Sequence, residues 1–371
     1  MSEFNTSDFM DTMSTKVWTN GRHLVRCVKV IAETHDVTTF TFGMSEPVLF
    51  FFKPGQFVTL ELEIEGERVM RSYTISSSPS IPYSFSITVK RVEGGLVSNW
   101  LHDNLKSGDQ IAVHGPVGQF NCMDFPSNKV LLLSGGVGIT PVMSMARWWF
   151  DTDSEVDMVF AHSARTPNDI IYARELEYMS SRIDNFQMHL ICERNEIGQA
   201  WGGYRGYMNI HMLSLIAPDF MEREVFCCGP EPYMAAVRNM LRDAGYNMDL
   251  YHEESFGETP AKDVERAEKH ADQAEEQEAL DQDQETVQVS FTDAGVQVQV
   301  PVGTNLNEAA AQAGVNISKA CGLGICGACR VQVTAGECDM NHGGGITDEE
   351  IAEGYVLSCC ATVKGDVEID Y

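Results

Sequence analysis

Apolar residues fall into short runs through the first 126 residues, and the runs have the composition of strands. HLVRCVKVIAE, VTTFTFGM, GQFVTLELEIEGERVMRSYTIS, YSFSITVKRV and DQIAVHGPVGQF are rich in Val, Ile, Thr and Phe, with Gly, Pro and Asp as punctuation. This predicts an antiparallel β-barrel, interrupted by one helix around Val97–Leu105. From Lys129 the pattern changes. VLLLS is a continuous apolar run, followed by a glycine turn and the helical stretch PVMSMARWWF. Further strand candidates follow at VDMVFAHSA, FQMHLIC and EVFCCG, with helical stretches between them. That alternation predicts a parallel α/β domain.

Residues 258–285 are set apart by what they lack. They hold no aromatic side chain, and Val264 and Leu280 are their only large aliphatics. Such a segment cannot bury enough apolar surface to offset its ordering entropy, so it reads as a linker. Fully helical it would span roughly 42 Å, at about 1.5 Å per residue. As a flexible coil it would average roughly 30 Å.

Composition narrows the function. A chain of 371 residues is long enough for two or three domains with their own cores. Its net charge of −28 repels nucleic-acid phosphate and anionic lipid, which argues against a nucleic-acid binder or a membrane-surface protein. No apolar run approaches the ~18–20 residues of a membrane span. The opening MSEFNTSDFMDTMSTK shows no secretory signal, so a cytoplasmic location is expected. In a reducing compartment, eleven cysteines point to metal or redox chemistry rather than disulfides. The charge is uneven: residues 1–257 carry a net −12, residues 258–285 carry −8, and residues 286–371 another −8.

The cysteines cluster where that chemistry would need them. Cys321, Cys326 and Cys329 give the spacing C-x4-C-x2-C, and Cys359 follows after 29 intervening residues. This is the plant-type 2Fe–2S ligand pattern, in which each iron takes two thiolates. A structural zinc site is the alternative, although zinc modules usually pair their ligands as two short C-x2-C knuckles. Cys360 could compete with Cys359 as fourth ligand. Upstream, Asn305-Leu-Asn-Glu308 reads as a capping box, AAAQA as a short helix and Gly314 as its stop. Cys27, Cys122 and Cys192 read as core residues, and Cys338 as buried or semi-buried.

Two further motifs lie upstream. Arg71-Ser72-Tyr73-Thr74 ends a strand in the barrel half, where Arg can clamp a phosphate, Tyr can stack on a flat ring and Thr can reach a ring nitrogen. Val89 and Lys90 then lead through Gly94-Gly95 into a helix beginning Leu-Val97-Ser98. Glycines opening a helix make an anion site, and the two motifs in this order predict a flavin. In the α/β half, Gly135-Gly136-Val-Gly138-Ile-Thr140-Pro141 follows a buried strand and opens a helix, the setting of a dinucleotide pyrophosphate site. Near the domain's end Cys228-Gly229-Pro230 closes a strand and faces the crevice where ligands bind in such sheets. His23, His114, His162 and His211 form no catalytic or metal set and read as ordinary surface or core residues. Phe50-Phe51-Phe52 reads as packing.

R-S-Y-T, V-K-R-V-E-G-G-L-V-S, G-G-V-G-I-T-P, C-G-P and the C-terminal cysteine motif occur in one order. In that order the chain resembles the ferredoxin–NADP-reductase superfamily with a fused plant-type ferredoxin, over essentially residues 20–371. The resemblance implies a multidomain chain: an N-terminal arm (1–20), an FAD-binding antiparallel β-barrel (21–126), an NAD-binding α/β parallel-sheet domain (127–257), an acidic linker (258–285) and an α+β (β-grasp) ferredoxin domain (286–371). It implies Arg71 at the flavin phosphates, Tyr73 stacking, Thr74 near flavin N5, and Gly95, Val97 and Ser98 at the pyrophosphate, with Ser72, Val89 and Lys90 also among the cofactor-binding residues. Gly135, Gly136, Gly138 and Thr140 would hold NADH, Cys228 with Gly229 and Pro230 would lie by the nicotinamide, and Glu254, Ser255 and Phe256 close the NAD domain where relatives place a group beside the isoalloxazine. Thr74 and Cys228 are the expected catalytic residues, and Cys321, Cys326, Cys329 and Cys359 the cluster ligands. The implied reaction passes electrons from NADH through FAD and 2Fe–2S to a Rieske-type oxygenase, in a quaternary-ammonium N-demethylation such as that of glycine betaine. Reduction of a hybrid-cluster protein is the nearest competitor. A metal-stapled nucleotide-binding module is the non-enzymatic alternative. NADH is expected over NADPH because Arg165-Thr-Pro offers one Arg and no cluster for a 2′-phosphate.

Overall fold

The computed structural model describes residues 16–18, 21–44, 48–195, 198, 200–256, 286–315, 317, 324, 327, 329–342 and 345–371. Most of the expected N-terminal arm and all of the expected linker lie outside the described residues. The chain divides into two compact units, Met1–Val58 with Tyr73–Phe256, and Thr59–Ser72 with Gly257–Tyr371.

The first unit opens with β1 (Lys16–Val17), β2 (Arg22–Ala32), β3 (Val37–Gly43) and β4 (Val48–Leu49), and β1 pairs with β4. There follow β5 (Phe57–Ile64) and β6 (Glu67–Thr74), whose stretch Thr59–Ser72 is counted with the second unit, and then β7 (Ser84–Lys90), α1 (Leu96–Asn104) and β8 (Gln110–Val117). β8, β2, β3 and β7 lie side by side in antiparallel ladders. Phe40 faces Ile87 and Phe42 faces Phe85 across β3 and β7, all four buried. Burying each such side chain is worth roughly 1.5–3 kcal/mol, which is why the aromatic and β-branched positions set the register. Phe50 and Phe52 join this core, while Phe51 is 57% exposed.

The α/β part contains β9 (Lys129–Gly135), α2 (Ile139–Asp151), β10 (Asp157–Ala164), α3 (Ala173–Ser180), β11 (Phe186–Cys192), β12 (Tyr204–Arg205), α4 (Ile210–Ile216), β13 (Glu224–Cys228), α5 (Glu231–Asp243) and β14 (Tyr251–Glu254). Its sheet has the order β12-β11-β10-β9-β13-β14, and its ladders are parallel. In β9, Val130 and Leu132 pack toward α2 while Leu131 and Leu133 pack toward α5. Both faces are covered, so this strand is apolar throughout rather than alternating.

The second unit holds β15 (Thr286–Phe291), β16 (Val296–Pro301), α6 (Leu306–Gln312), β17 (Arg330–Ala335), β18 (Cys338–Met340), α7 (Asp348–Ala352), β19 (Tyr355–Leu357), β20 (Ala361–Val363) and β21 (Val367–Asp370). A mixed sheet runs β16-β15-β21-β17-β19, with β15 parallel to β21, and α6 packs Leu306, Ala309 and Ala310 into the same core as Phe291 and Ile369. The capping box is half present. The Asn305 side chain accepts from the Asn307 backbone N–H at 3.0 Å, whereas no reciprocal bond from Glu308 closes the box. The Asn305 amide instead donates to the Cys359 carbonyl at 3.1 Å, a long-range partner that local spacing cannot reveal. Gly314 ends the helix at φ +73°, as its position after AAAQA predicts.

Candidate functional site

The flavin motif ends β6. Thr74 is buried, Tyr73 and Arg71 are half-buried, and Ser72 shares a 2.9 Å hydroxyl–hydroxyl hydrogen bond with Thr59. The Thr74 hydroxyl donates to Glu254 Oε2 at 3.4 Å, across 180 residues of chain. Burial pushes the Glu254 carboxyl up to about 8, against the lowering effect of that hydrogen bond. The carboxyl is therefore mostly neutral at pH 7, a proton-bearing group beside the strand end where a flavin edge is expected.

Phosphate would meet the start of α1. Gly94 has φ +70°, Gly95 is the cap, and no side chain caps the first turn. The orphan N–H groups and the helix dipole suit an anion there. Ser98 Oγ accepts from the Val92 N–H at 3.2 Å and so folds the entering loop onto the helix. Lys90 Nζ lies 3.3 Å from Asp36, and Val89 turns its side chain into the core while its carbonyl lies 3.0 Å from His102 Nε2. Val97 is likewise buried.

The dinucleotide turn carries two different glycine requirements. Gly136 sits at φ +53° with nothing within 4 Å of a notional Cβ, so its backbone faces open space as a pyrophosphate cradle needs. Gly138 is required sterically, because a Cβ there would lie 2.4 Å from the Cys228 carbonyl oxygen and 2.5 Å from Gly229 Cα. That contact brings the turn and the C-G-P motif together. α2 has no side-chain N-cap, and Thr140 Oγ1 is committed to the Val137 carbonyl at 3.1 Å.

At the carboxyl edge of the parallel sheet the register places Glu254 beside Cys228, Cys228 beside Ser134, and Ser134 beside His162. Aligned residues of parallel strands share a face, so these form one polar row above the apolar row Phe226–Leu132–Phe160. Burial pushes the Cys228 thiol well above its ordinary value, so it stands as a neutral wall and not as a nucleophile. His162 is fully buried and shares a 2.9 Å hydrogen bond between Nδ1 and Ser134 Oγ, and burial lowers its pKa to about 4. Pro230 is exposed at the cap of α5, and Phe256 is 46% exposed. Thr74, Glu254, Cys228 and the Gly136–Gly138 turn are thus assembled within one unit. Glu254 belongs to the terminal stretch YHEESFG expected beside the isoalloxazine, but its burial and its Thr74 partner depend on the fold and are not legible in that stretch.

In the second unit, Cys321 and Cys326 lie outside the described residues. Cys329 is buried and Cys359 half-buried. Ser358 joins them: its N–H and its hydroxyl both donate to the Cys329 carbonyl at 3.0 Å. The Cys360 thiol instead donates to the Leu357 carbonyl at 3.5 Å. Gly327, at φ +71°, would place a Cβ 2.9 Å from the Gly345 carbonyl oxygen. That close approach of Gly327 to the Gly345 backbone, two residues before Cys329, suits a cluster whose sulfides need close backbone N–H groups.

Three family models match in chain order: an oxidoreductase FAD-binding domain over residues 25–122, an oxidoreductase NAD-binding domain over 132–239, and a 2Fe–2S iron–sulfur cluster binding domain over 291–364. The chain is 65% identical over 368 residues to the glycine betaine monooxygenase reductase subunit of Pseudomonas aeruginosa (strain UCBPP-PA14), covering 98% of this chain and 100% of that one. It is 31% identical over 340 residues to the NADH oxidoreductase HCR of Escherichia coli (strain K12), covering 91% and 94%. Phthalate dioxygenase reductase, solved as a modular structure for electron transfer from pyridine nucleotides to 2Fe–2S, shares the fold with a TM-score of 0.57 at 21% identity, over 95% of this chain and 98% of that one. Among the described residues no helix is long and apolar enough to cross a membrane.

Proposed function

The chain belongs to the ferredoxin–NADP-reductase-like oxidoreductases with a C-terminal 2Fe–2S ferredoxin domain, and from that premise we propose that it carries electrons from NADH through FAD and the cluster to an oxygenase. When bound, the flavin would supply two-electron hydride chemistry and the 2Fe–2S centre one-electron chemistry. The chain's own residues bind, orient and insulate. The open backbone of Gly136 and the first turn of α2 hold the dinucleotide pyrophosphate, and the uncapped start of α1 at Gly95 and Ser98 holds that of FAD. Thr74 and Glu254 hold a proton at the flavin edge, and Cys228 backs the nicotinamide with an uncharged thiol. Arg71, Ser72 and Tyr73 clamp and stack the flavin, and Cys321, Cys326, Cys329 and Cys359 ligate the cluster. No side-chain general base is required, since orientation supplies much of the acceleration of a hydride transfer.

The observation that carries this reading is the meeting of Thr74 from the barrel with Glu254 and Cys228 from the sheet edge, at the mouth of a glycine turn shaped for a dinucleotide. The acceptor we assign is a Rieske-type oxygenase that N-demethylates glycine betaine. The 65% identity to a glycine betaine monooxygenase reductase subunit supports it over the hybrid-cluster route, where identity is 31%. A cytoplasmic setting suits the reducing conditions that keep the ligand cysteines free of disulfides. Purified protein mixed anaerobically with NADH should lose flavin and then iron–sulfur absorbance, and should support NADH-dependent demethylation of glycine betaine with the oxygenase. A colourless zinc-containing protein would refute the reading.

A further inference from the structure

Hydride transfer needs donor and acceptor carbon and nitrogen about 3–3.5 Å apart and aligned. Here the strand end at Thr74 and the glycine turn at the start of α2 lie on different parts of the first unit. Whatever fixes α2 on the barrel therefore sets that distance. Three residues of α2 on one helical face, Ser144, Arg147 and Asp151, meet the segment that directly follows Thr74. Ser144 Oγ donates to the Ser77 carbonyl at 2.7 Å, Arg147 Nη1 donates to the Ser76 carbonyl, and Ser80 donates to Asp151. α2 is thus a strut with the dinucleotide turn at its head and the continuation of the flavin strand along its side.

Arg147 is the centre of this contact. Its Nε and Nη2 donate to the two carboxylate oxygens of Glu175, each at 2.7 Å, and its guanidinium carbon lies 4.5 Å from the centre of the Tyr172 ring. Tyr172 is buried in a left-handed conformation, φ 58° and ψ 24°, and its hydroxyl is hydrogen-bonded to Thr88 of the barrel. Thr88 in turn bonds Thr39 at 2.8 Å and Ser76 at 3.0 Å. The chain of contacts leaves the barrel at Thr88, passes through Tyr172 and Arg147, and returns to it at Ser76. The Glu175 side chain is 40% exposed, and a half-exposed ion pair of this kind adds little stability, while a non-glycine residue at positive φ is strained. Both features are explained if the arrangement is kept for its geometry.

We propose that Arg147 and Tyr172 are positioning residues of the hydride-transfer step, acting by holding the dinucleotide helix at a fixed distance from the flavin strand. This rests on the flavin–NADH reading above. Neither residue lies in the motifs that contact the cofactors, so their removal should change the reaction within the bound complex and leave binding largely intact.

The test uses the flavin-loaded full-length protein. Tyr172→Phe deletes the hydroxyl that reaches Thr88 and keeps the ring under Arg147. Thr88→Val cuts the same bond from the barrel side, and Arg147→Lys keeps the charge and loses the fork. Rapid-mixing with NADH gives the limiting rate of flavin reduction, the apparent NADH dissociation constant and the long-wavelength charge-transfer absorbance of the complex. We expect Tyr172→Phe to lower the limiting rate at least ten-fold and weaken the charge-transfer band, with the dissociation constant changed less than two-fold. Arg147→Lys should fall in the same direction, and the Tyr172→Phe/Thr88→Val double variant should be no slower than the slower single variant, as expected for two partners of one bond. An unchanged limiting rate and band with a lowered melting temperature would make the cluster merely structural and overturn the proposal. So would a loss confined to NADH affinity, or additive effects in the double variant. Failure of the wild-type flavin to be reduced by NADH at all would instead strike the functional reading beneath it.

Discussion

Replacing Glu254 with Gln removes one titration while keeping the shape of the site and an acceptor for the Thr74 hydroxyl. In the wild-type protein burial raises this carboxyl from its ordinary 4.5 to about 8. The folded protein thus holds the proton more tightly than the unfolded chain. Stability from this site is fully present below the unfolded value and is lost as pH rises through the folded one. Each pH unit between the two values costs about 1.4 kcal/mol, so wild type should lose about 3 kcal/mol relative to Glu254→Gln between about pH 5.5 and about pH 8.5. Every other titrating group is common to both proteins and cancels in the difference. All five tryptophans lie within residues 1–257, so urea denaturation followed by tryptophan fluorescence reports the first unit. The comparison is made at constant ionic strength and in the same excess of FAD. Denaturation free energies that move in parallel for the two proteins across this range would refute the claim that Glu254 is neutral at pH 7.

The other consequences are separable. Gly138→Ala drives a Cβ into the Cys228 carbonyl, where both sides are backbone, and should weaken NAD+ binding by more than ten-fold in calorimetry with a destabilisation of about 1–3 kcal/mol. Gly136→Ala meets open space at positive φ and should cost only about 1–2 kcal/mol. Cys359→Ser should abolish the visible 2Fe–2S spectrum of the purified protein while Cys360→Ser retains it; the opposite pattern would exchange their roles. The linker and C-terminal domain hold −16 of the net charge in 114 residues, so electron delivery to the oxygenase should slow as ionic strength rises, with flavin reduction by NADH much less affected. Equal salt dependence of the two steps would show that this charge does not steer docking.

The legible parts of this protein were those whose chemistry is written at short range. A continuous apolar run before G-G-V-G-I-T-P identifies a parallel strand and its phosphate turn, because both faces of such a strand are buried. The spacing of Cys321, Cys326, Cys329 and Cys359 identifies a cluster because thiolate number and separation are properties of the local chain. Gly314 and Asn305 punctuate α6 for the same reason, yet Asn305 forgoes Glu308 because a better partner, the Cys359 carbonyl, arrives from 54 residues away. What the tertiary structure alone decided are the features that depend on a distant neighbour. Glu254 becomes a neutral acid only when β14 is buried against Thr74, and His162 and Ser134 pair only because β9 and β10 share a register. Arg147 reads as one charge on an amphipathic helix until Glu175, Tyr172 and Ser76 close around it. Spacing along the chain determines which groups exist and how they turn locally; burial and long-range pairing determine their charge state and what they hold in place.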